Sequence, residues 1–293
     1  MKKFILIFAL DVIVSFSYSH DFQKLNQDFE AQLKNEKILY GHDSITGKFY
    51  NIRGIKMYCE IYGSGQPLLI IHGNGGSIKD FLYQIPYFSK KYKVILADSR
   101  SQGRSLDTGD SLTYEMMTDD YAALLTALNI DSSFVIGWSD GGIEGLLLAI
   151  RHPEKVKKLA ITGANLSPDT TAVSEDIYEM VMTYYSKLKN KTNKTASENL
   201  QLKLVRLEAD EPHIPPTALH AIKIPTLVIG GDHDILKPSH TLLIFKNIPN
   251  AYLWILPNSG HSTPVAYKDE FNKTVDAFFS TPYRKIEKND RGF

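Results

Sequence analysis

Short runs of Val, Ile and Leu recur along the chain, separated by longer stretches in which apolar residues return every three or four positions. The runs at 67–71, 93–97, 133–136, 158–162, 226–229 and 252–256 are nearly unbroken, as expected of strands covered on both faces. Two further stretches, 49–53 and 56–62, flank Gly54 in a hairpin-like arrangement. Between the strands, Met117, Tyr121, Leu124, Leu125 and Leu128 fall on one face of a helix over 114–128. The stretch 143–150 is apolar throughout, which predicts a buried helix, and 265–279 is amphipathic. Strands alternating with helices predict an α/β fold, a mostly parallel eight-stranded sheet with helices on both faces.

The alternation stops between Ala164 and Ile224. Two helical patterns, 174–189 and 197–209, are joined there by a Lys/Asn/Thr-rich link. This predicts a small helical cap, 165–223, inserted into a core made of residues 46–164 and 224–281. Such a cap is a natural place for substrate selection; the alternative is a surface excursion with no catalytic part. Residues 20–45 are polar and helix-prone and read as a mobile leader, and 282–293 as a flexible polar tail.

Composition narrows the classes. The chain has 293 residues, 43% of them hydrophobic, enough to bury a large core. Lys+Arg and Asp+Glu balance at 33 each, so charge gives no case for a nucleic-acid partner. Cys59 is the one cysteine, which excludes an intrachain disulfide, and no His or Cys spacing suggests a metal. The start differs from the rest. Met1-Lys2-Lys3 is basic, Phe4 to Phe16 is largely apolar though interrupted by Asp11, and Ser17-Tyr18-Ser19 sets small residues where a signal peptidase reads. Residues 1–19 therefore read as a signal peptide cleaved before His20, for export to a periplasm or the medium. The run is short for a membrane span, so no stable membrane insertion is expected.

Chemistry concentrates at four strand ends. Gly137-Trp138-Ser139-Asp140-Gly141 lies between the apolar strand at 133–136 and the apolar helix from Ile143. That is the strand, sharp turn and helix that expose a nucleophilic serine, with glycines leaving room for neighbouring backbone. A serine hydroxyl needs a base, and His261 follows the last strand. A carboxylate must orient that histidine. Asp234 and Asp232 both follow the strand at 226–229, and Asp234 is favoured because the loop has turned by then. The order Ser139, Asp234, His261 is that of a hydrolase built on an α/β sheet. The glycine-rich His72-Gly73-Asn74-Gly75-Gly76 follows another strand, and the N–H groups of Asn74 and Asp140 are the expected oxyanion donors. Trp138 and Asp140 flank the serine and are candidate substrate contacts. Asp98 and Arg100 read as a structural turn.

These motifs, over roughly residues 50–279, resemble the α/β-hydrolase superfamily. More narrowly, GWSDGGI and Thr162-Gly163-Ala164-Asn165 resemble the valacyclovir hydrolase, or biphenyl hydrolase-like, group. The resemblance implies that the acid after the nucleophile, here Asp140, holds the α-amino group of amino-acid esters. The residue pattern leaves a second role open, capping of the following helix. The HGNGG loop departs from that group's version and is closer to the wider superfamily. The resulting expectation is a serine hydrolase of small carboxylic esters, working through an acyl-enzyme with no cofactor. Carbon–carbon or amide hydrolysis on the same triad, and a non-catalytic ligand-binding protein on this scaffold, are the alternatives.

Overall fold

The computed structural model describes residues 20–286. The proposed signal peptide lies outside the described residues, as does the tail from 287 onwards. Eight strands form one sheet: β1 Lys48–Ile52, β2 Ile55–Tyr62, β3 Gln66–Ile71, β4 Tyr92–Ala97, β5 Ser133–Trp138, β6 Val156–Thr162, β7 Thr226–Gly231 and β8 Ala251–Leu256. Their order is β1-β2-β4-β3-β5-β6-β7-β8. The β1–β2 hairpin turns through Arg53 and Gly54, both at positive φ, and pairs antiparallel, as does β2 with β4. Every other neighbour is parallel. The side chains of β3, β4, β5 and β7 are buried almost without a break, because both faces of the sheet are covered.

Helix α1 is His20–Asn35, and α2 is the short Ile85–Phe88. The remaining helices are α3 Tyr114–Ala127, α4 Asp140–Arg151, α5 Glu175–Asn190, α6 Ala196–Asp210, α7 Pro238–Asn247, α8 Thr263–Ala266 and α9 Lys268–Ser280. The apolar faces of α3, α4 and α7 build the core on one side of the sheet. Helices α1, α2 and α9 build the other, where Phe81, Phe88, Phe271 and Phe279 pack. The predicted helix over 265–279 is divided at Tyr267, whose φ of −119° and ψ of 38° separate α8 from α9.

Residues 20–45 are not a free leader. Leu25, Phe29 and Leu33 repeat every four positions and turn one face of α1 onto the core; Phe29 is buried edge-on to Tyr83, with ring centroids 5.8 Å apart. The chain after α1 is held by the buried Glu60 carboxylate. It accepts from the backbone N–H groups of Gly41 and Asp43 and from the Tyr58 and Tyr62 hydroxyls. The start of the tail is also docked, since the Arg284 N–H donates to the Tyr252 hydroxyl at 2.8 Å.

Helices α5 and α6 occupy the insertion. Its base is stitched to the loop after β7: the Ser174 N–H donates to the Ile235 carbonyl and the Lys237 N–H to the Ala172 carbonyl. Leu204 and Leu207 of α6 join the α3–α4 core, which sets the insertion above the carboxyl ends of the strands. The Asp98–Arg100 turn is structural, as read. Asp98 accepts from the Ile78 and Arg104 N–H groups, and Arg100 pairs with the fully buried Asp120 at 2.7 Å. Lys203 of α6 reaches Asp107 and Ser101 beside it, tying insertion and core together. Among the described residues no helix is long and apolar enough to cross a membrane.

Candidate active site

Ser139 stands between the end of β5 and the start of α4, in a conformation (φ 56°, ψ −122°) that side-chain-bearing residues rarely adopt. The surrounding backbone holds it there. Its N–H donates to the Thr162 carbonyl at 2.9 Å, and its carbonyl accepts from the N–H groups of Gly142 and Ile143. Close crossings require glycine on either side: a Cβ at Gly141 would lie 2.1 Å from the Ile71 carbonyl oxygen. A substitution at Gly141 would therefore push β3 and α4 apart.

His261 comes from the loop after β8 and Asp234 from the loop after β7. The Ser139 Oγ lies 3.0 Å from His261 Nε2, and His261 Nδ1 lies 2.7 Å from Asp234 Oδ1. With Nδ1 donating to the carboxylate, Nε2 is left as the acceptor facing the serine. Asp234 Oδ1 also accepts from the Leu236 N–H at 3.2 Å, which fixes the carboxylate plane. Asp232, the other candidate acid, does not touch His261. It accepts from the Ser259 N–H and from the His233 ring, so it joins the two loops that carry Asp234 and His261. The His233 contact and backbone N–H groups hold the Asp232 carboxyl low, at about 2.

Trp138 lines a narrow recess beside Ser139 together with Gly73, Asn74 and Asp80. Its indole Nε1 donates to the His261 carbonyl at 2.9 Å, and its ring packs edge-on against Phe81. With 3% of its surface exposed, it borders the recess and also holds the histidine loop. The His72 ring is committed to the fold: Nδ1 donates to the Gly73 carbonyl and Nε2 accepts from the Ser99 N–H. Burial drives its pKa down to about 4, so it stays neutral. Among the described residues, no hydrogen bond engages the Asn74 N–H or the Asp140 N–H. Both are thus available to an oxygen beside Ser139.

Asp140 opens α4 but does not cap it. Its side chain accepts from Asn74 Nδ2 at 3.0 Å and lines the same cleft as Tyr114. Burial pushes it up to about 6, against the lowering effect of the Asn74 bond. A cleft runs over Ser139, Asp140 and Tyr114, with Ile177, Val181 and Met182 of α5 as an apolar wall.

Three residues belong to the site whose roles motif reading did not give, although Gly163 lies in the Thr162–Asn165 motif. Tyr114, itself buried, lines the cleft with Asp140. Glu208 of α6 lines the same cleft. Gly163 lies against the imidazole; a Cβ there would sit 2.7 Å from His261 Cε1. Glu208 did leave a trace in the sequence, since it follows Leu204 by one helical turn on the inward face of α6.

Residues 66–213, half of the chain, match the family model described as alpha/beta hydrolase fold. "Serine hydrolase BPHL" of Homo sapiens is 27% identical over 257 residues, covering 80% of this chain and 87% of that protein. The "pimeloyl-[acyl-carrier protein] methyl ester esterase" of Legionella pneumophila (strain Corby) is 27% identical over 250 residues, covering 76% and 99%. Among solved structures, the enol-lactonase from Burkholderia xenovorans LB400 superimposes with a TM-score of 0.69 at 21% identity, covering 80% of this chain and all of that one.

Proposed function

Because this chain belongs to the α/β-hydrolase family, we propose that it is a serine hydrolase that cleaves small carboxylic esters through an acyl-enzyme on Ser139. The observation that carries the reading is the unbroken line of hydrogen bonds from Ser139 through His261 to Asp234. His261 Nε2 takes the Ser139 proton as Oγ attacks the ester carbonyl. The negative charge that forms on the carbonyl oxygen is received by the N–H groups of Asn74 and Asp140. Such a donor is typically worth about 3 kcal/mol in the transition state. His261 then returns the proton to the leaving alkoxide. In the second half it draws a proton from water, which attacks the acyl carbonyl and releases the acid and Ser139. No cofactor enters these steps.

The acyl group preferred in this reading carries an α-amino group, held by Asp140. Two observations support it. The Asp140 carboxylate lines the cleft beside Ser139, and it leaves the helix N–H groups alone. Wild-type protein should cleave methyl valinate with a higher kcat/KM than methyl 3-methylbutanoate, its neutral counterpart. Asp140→Asn should remove roughly tenfold of that preference, as loss of a hydrogen bond to a charged group would. An unchanged preference in Asp140→Asn would rule out amine binding at this residue.

The basic start and apolar run of residues 1–16, followed by Ser17-Tyr18-Ser19, support export with removal of the first 19 residues. Mass spectrometry of protein recovered outside the cytoplasm should find His20 as its first residue; an intact Met1 would contradict this.

A further inference from the structure

We propose that the groove between the β1–β2 hairpin and the loop after β4 is a second ligand site, and that it takes a small organic carboxylate with a hydrocarbon body, its charge held by Arg104. The groove has a volume of about 380 Å³, and its lining includes Phe49, Ile55, Lys56, Arg104 and Leu106. That size suits a small molecule. None of the lining residues borders the cleft or the recess at Ser139, so the site is separate from the one described above.

The cation is fixed in place before any ligand arrives. Phe49 and Tyr58 are partners across the hairpin, with ring centroids 5.1 Å apart. The Arg104 guanidinium lies over both rings, 4.1 Å from the Tyr58 centroid and 5.2 Å from that of Phe49. Its backbone is held as well. The Arg104 N–H donates to the buried Asp98 at 2.7 Å, and the neighbouring Ser105 hydroxyl accepts from the Tyr58 N–H at 2.9 Å. Lys203 of α6 ties the same loop down through Ser101, Asp107 and Gly109. A groove with rigid walls lowers the ordering cost of binding.

Charge complementarity names the occupant. Among the described residues no carboxylate pairs with the Arg104 guanidinium. Asp107, the acid that lines the same groove, pairs instead with Lys203 at 2.9 Å and Arg100 at 3.7 Å. Lys56 adds a second positive charge to the lining. Stacking on a ring engages the face of a guanidinium, and the N–H groups at its edge form a planar fork that matches the two oxygens of a carboxylate. Phe49 and Leu106, 49% and 76% exposed, set uncovered apolar surface along the same groove. A point anion would leave that surface in water, whereas a hydrocarbon chain on the carboxylate would cover it.

Two-dimensional NMR of the whole chain tests this by following the Arg104 side-chain N–H and the Gly54 and Leu106 backbone N–H signals during titration. Hexanoate is expected to shift all three saturably. Hexan-1-ol has the chain without the charge and acetate the charge without the chain, and each should bind about tenfold more weakly. Arg104→Gln should weaken hexanoate about tenfold, and Arg104→Lys should restore only part, because an ammonium lacks the fork. Leu106→Ser changes a largely exposed side chain. It should lower the preference for hexanoate over acetate severalfold while leaving acetate itself unchanged. Groove signals that hexanoate leaves unmoved would overturn the proposal. So would inorganic phosphate or hexan-1-ol binding as tightly as hexanoate, equal hexanoate affinity in wild type and Arg104→Gln, or an unchanged preference in Leu106→Ser.

Discussion

Asp234→Ala is expected to lower kcat by about 10⁴-fold while the protein stays folded, since removing the triad acid of a serine hydrolase has an effect of that order. Without the carboxylate, nothing holds the proton on His261 Nδ1, and the imidazolium that forms during attack has no counter-charge. Asp234→Asn should be milder. Both the His261 and Leu236 bonds end on Oδ1, so the amide can present its carbonyl oxygen to both and lose only the charge. Asp232→Ala is the control. It cuts a tether between two loops and leaves the imidazole's own partner intact, so its loss should be far smaller. Steady-state kinetics on an activated ester, with circular dichroism to confirm folding, distinguishes the three. Near wild-type activity in Asp234→Ala would remove Asp234 from the catalytic chain.

Gly163→Ala is expected to lower kcat/KM by about 10²-fold, although residue 163 bears no functional group. A displacement of about 1 Å at a reacting group is enough for a loss of that size. The added methyl carbon would stand 2.7 Å from His261 Cε1 and 2.9 Å from Nδ1, so the ring must move or its loop must give. Either response disturbs the 3.0 Å approach of Nε2 to Ser139. The backbone adds a second penalty. Gly163 has φ +63°, and a residue with a Cβ there costs roughly 1–2 kcal/mol. The variant should therefore show both a slower reaction and a lower midpoint in urea. A destabilised protein with unchanged kinetics would mean that the imidazole tolerates the contact.

Asp234 could be read from the sequence, whereas the part played by Gly163 could not. The strands were legible because both faces of the sheet are covered, so each parallel strand is a run of apolar residues bounded by glycine or polar turns. The buried α4 was legible for the same reason. Ser139, Asp234 and His261 were legible because each follows a strand at its carboxyl end. The docking of α1 was missed because its face is three residues, Leu25, Phe29 and Leu33, in an otherwise polar segment. Its anchor, Glu60, lies in a strand where a charged residue reads as exposed. Trp138 was picked out because it adjoins the nucleophile; its bond to the His261 carbonyl joins residues more than a hundred positions apart, which no local pattern encodes. Gly163 and Glu208 escaped for a similar reason. Their meaning lies in what the fold sets beside them: an imidazole in one case, and Asp140 in the other.

The role of Ser139 as nucleophile is tested most directly by labelling the purified protein with a fluorophosphonate and locating the adduct by peptide mass spectrometry. The result expected is one adduct per chain, on Ser139, absent from Ser139→Ala and much slower to form in His261→Ala. Labelling of Ser139→Ala at the wild-type rate, or no labelling of wild type, would contradict it.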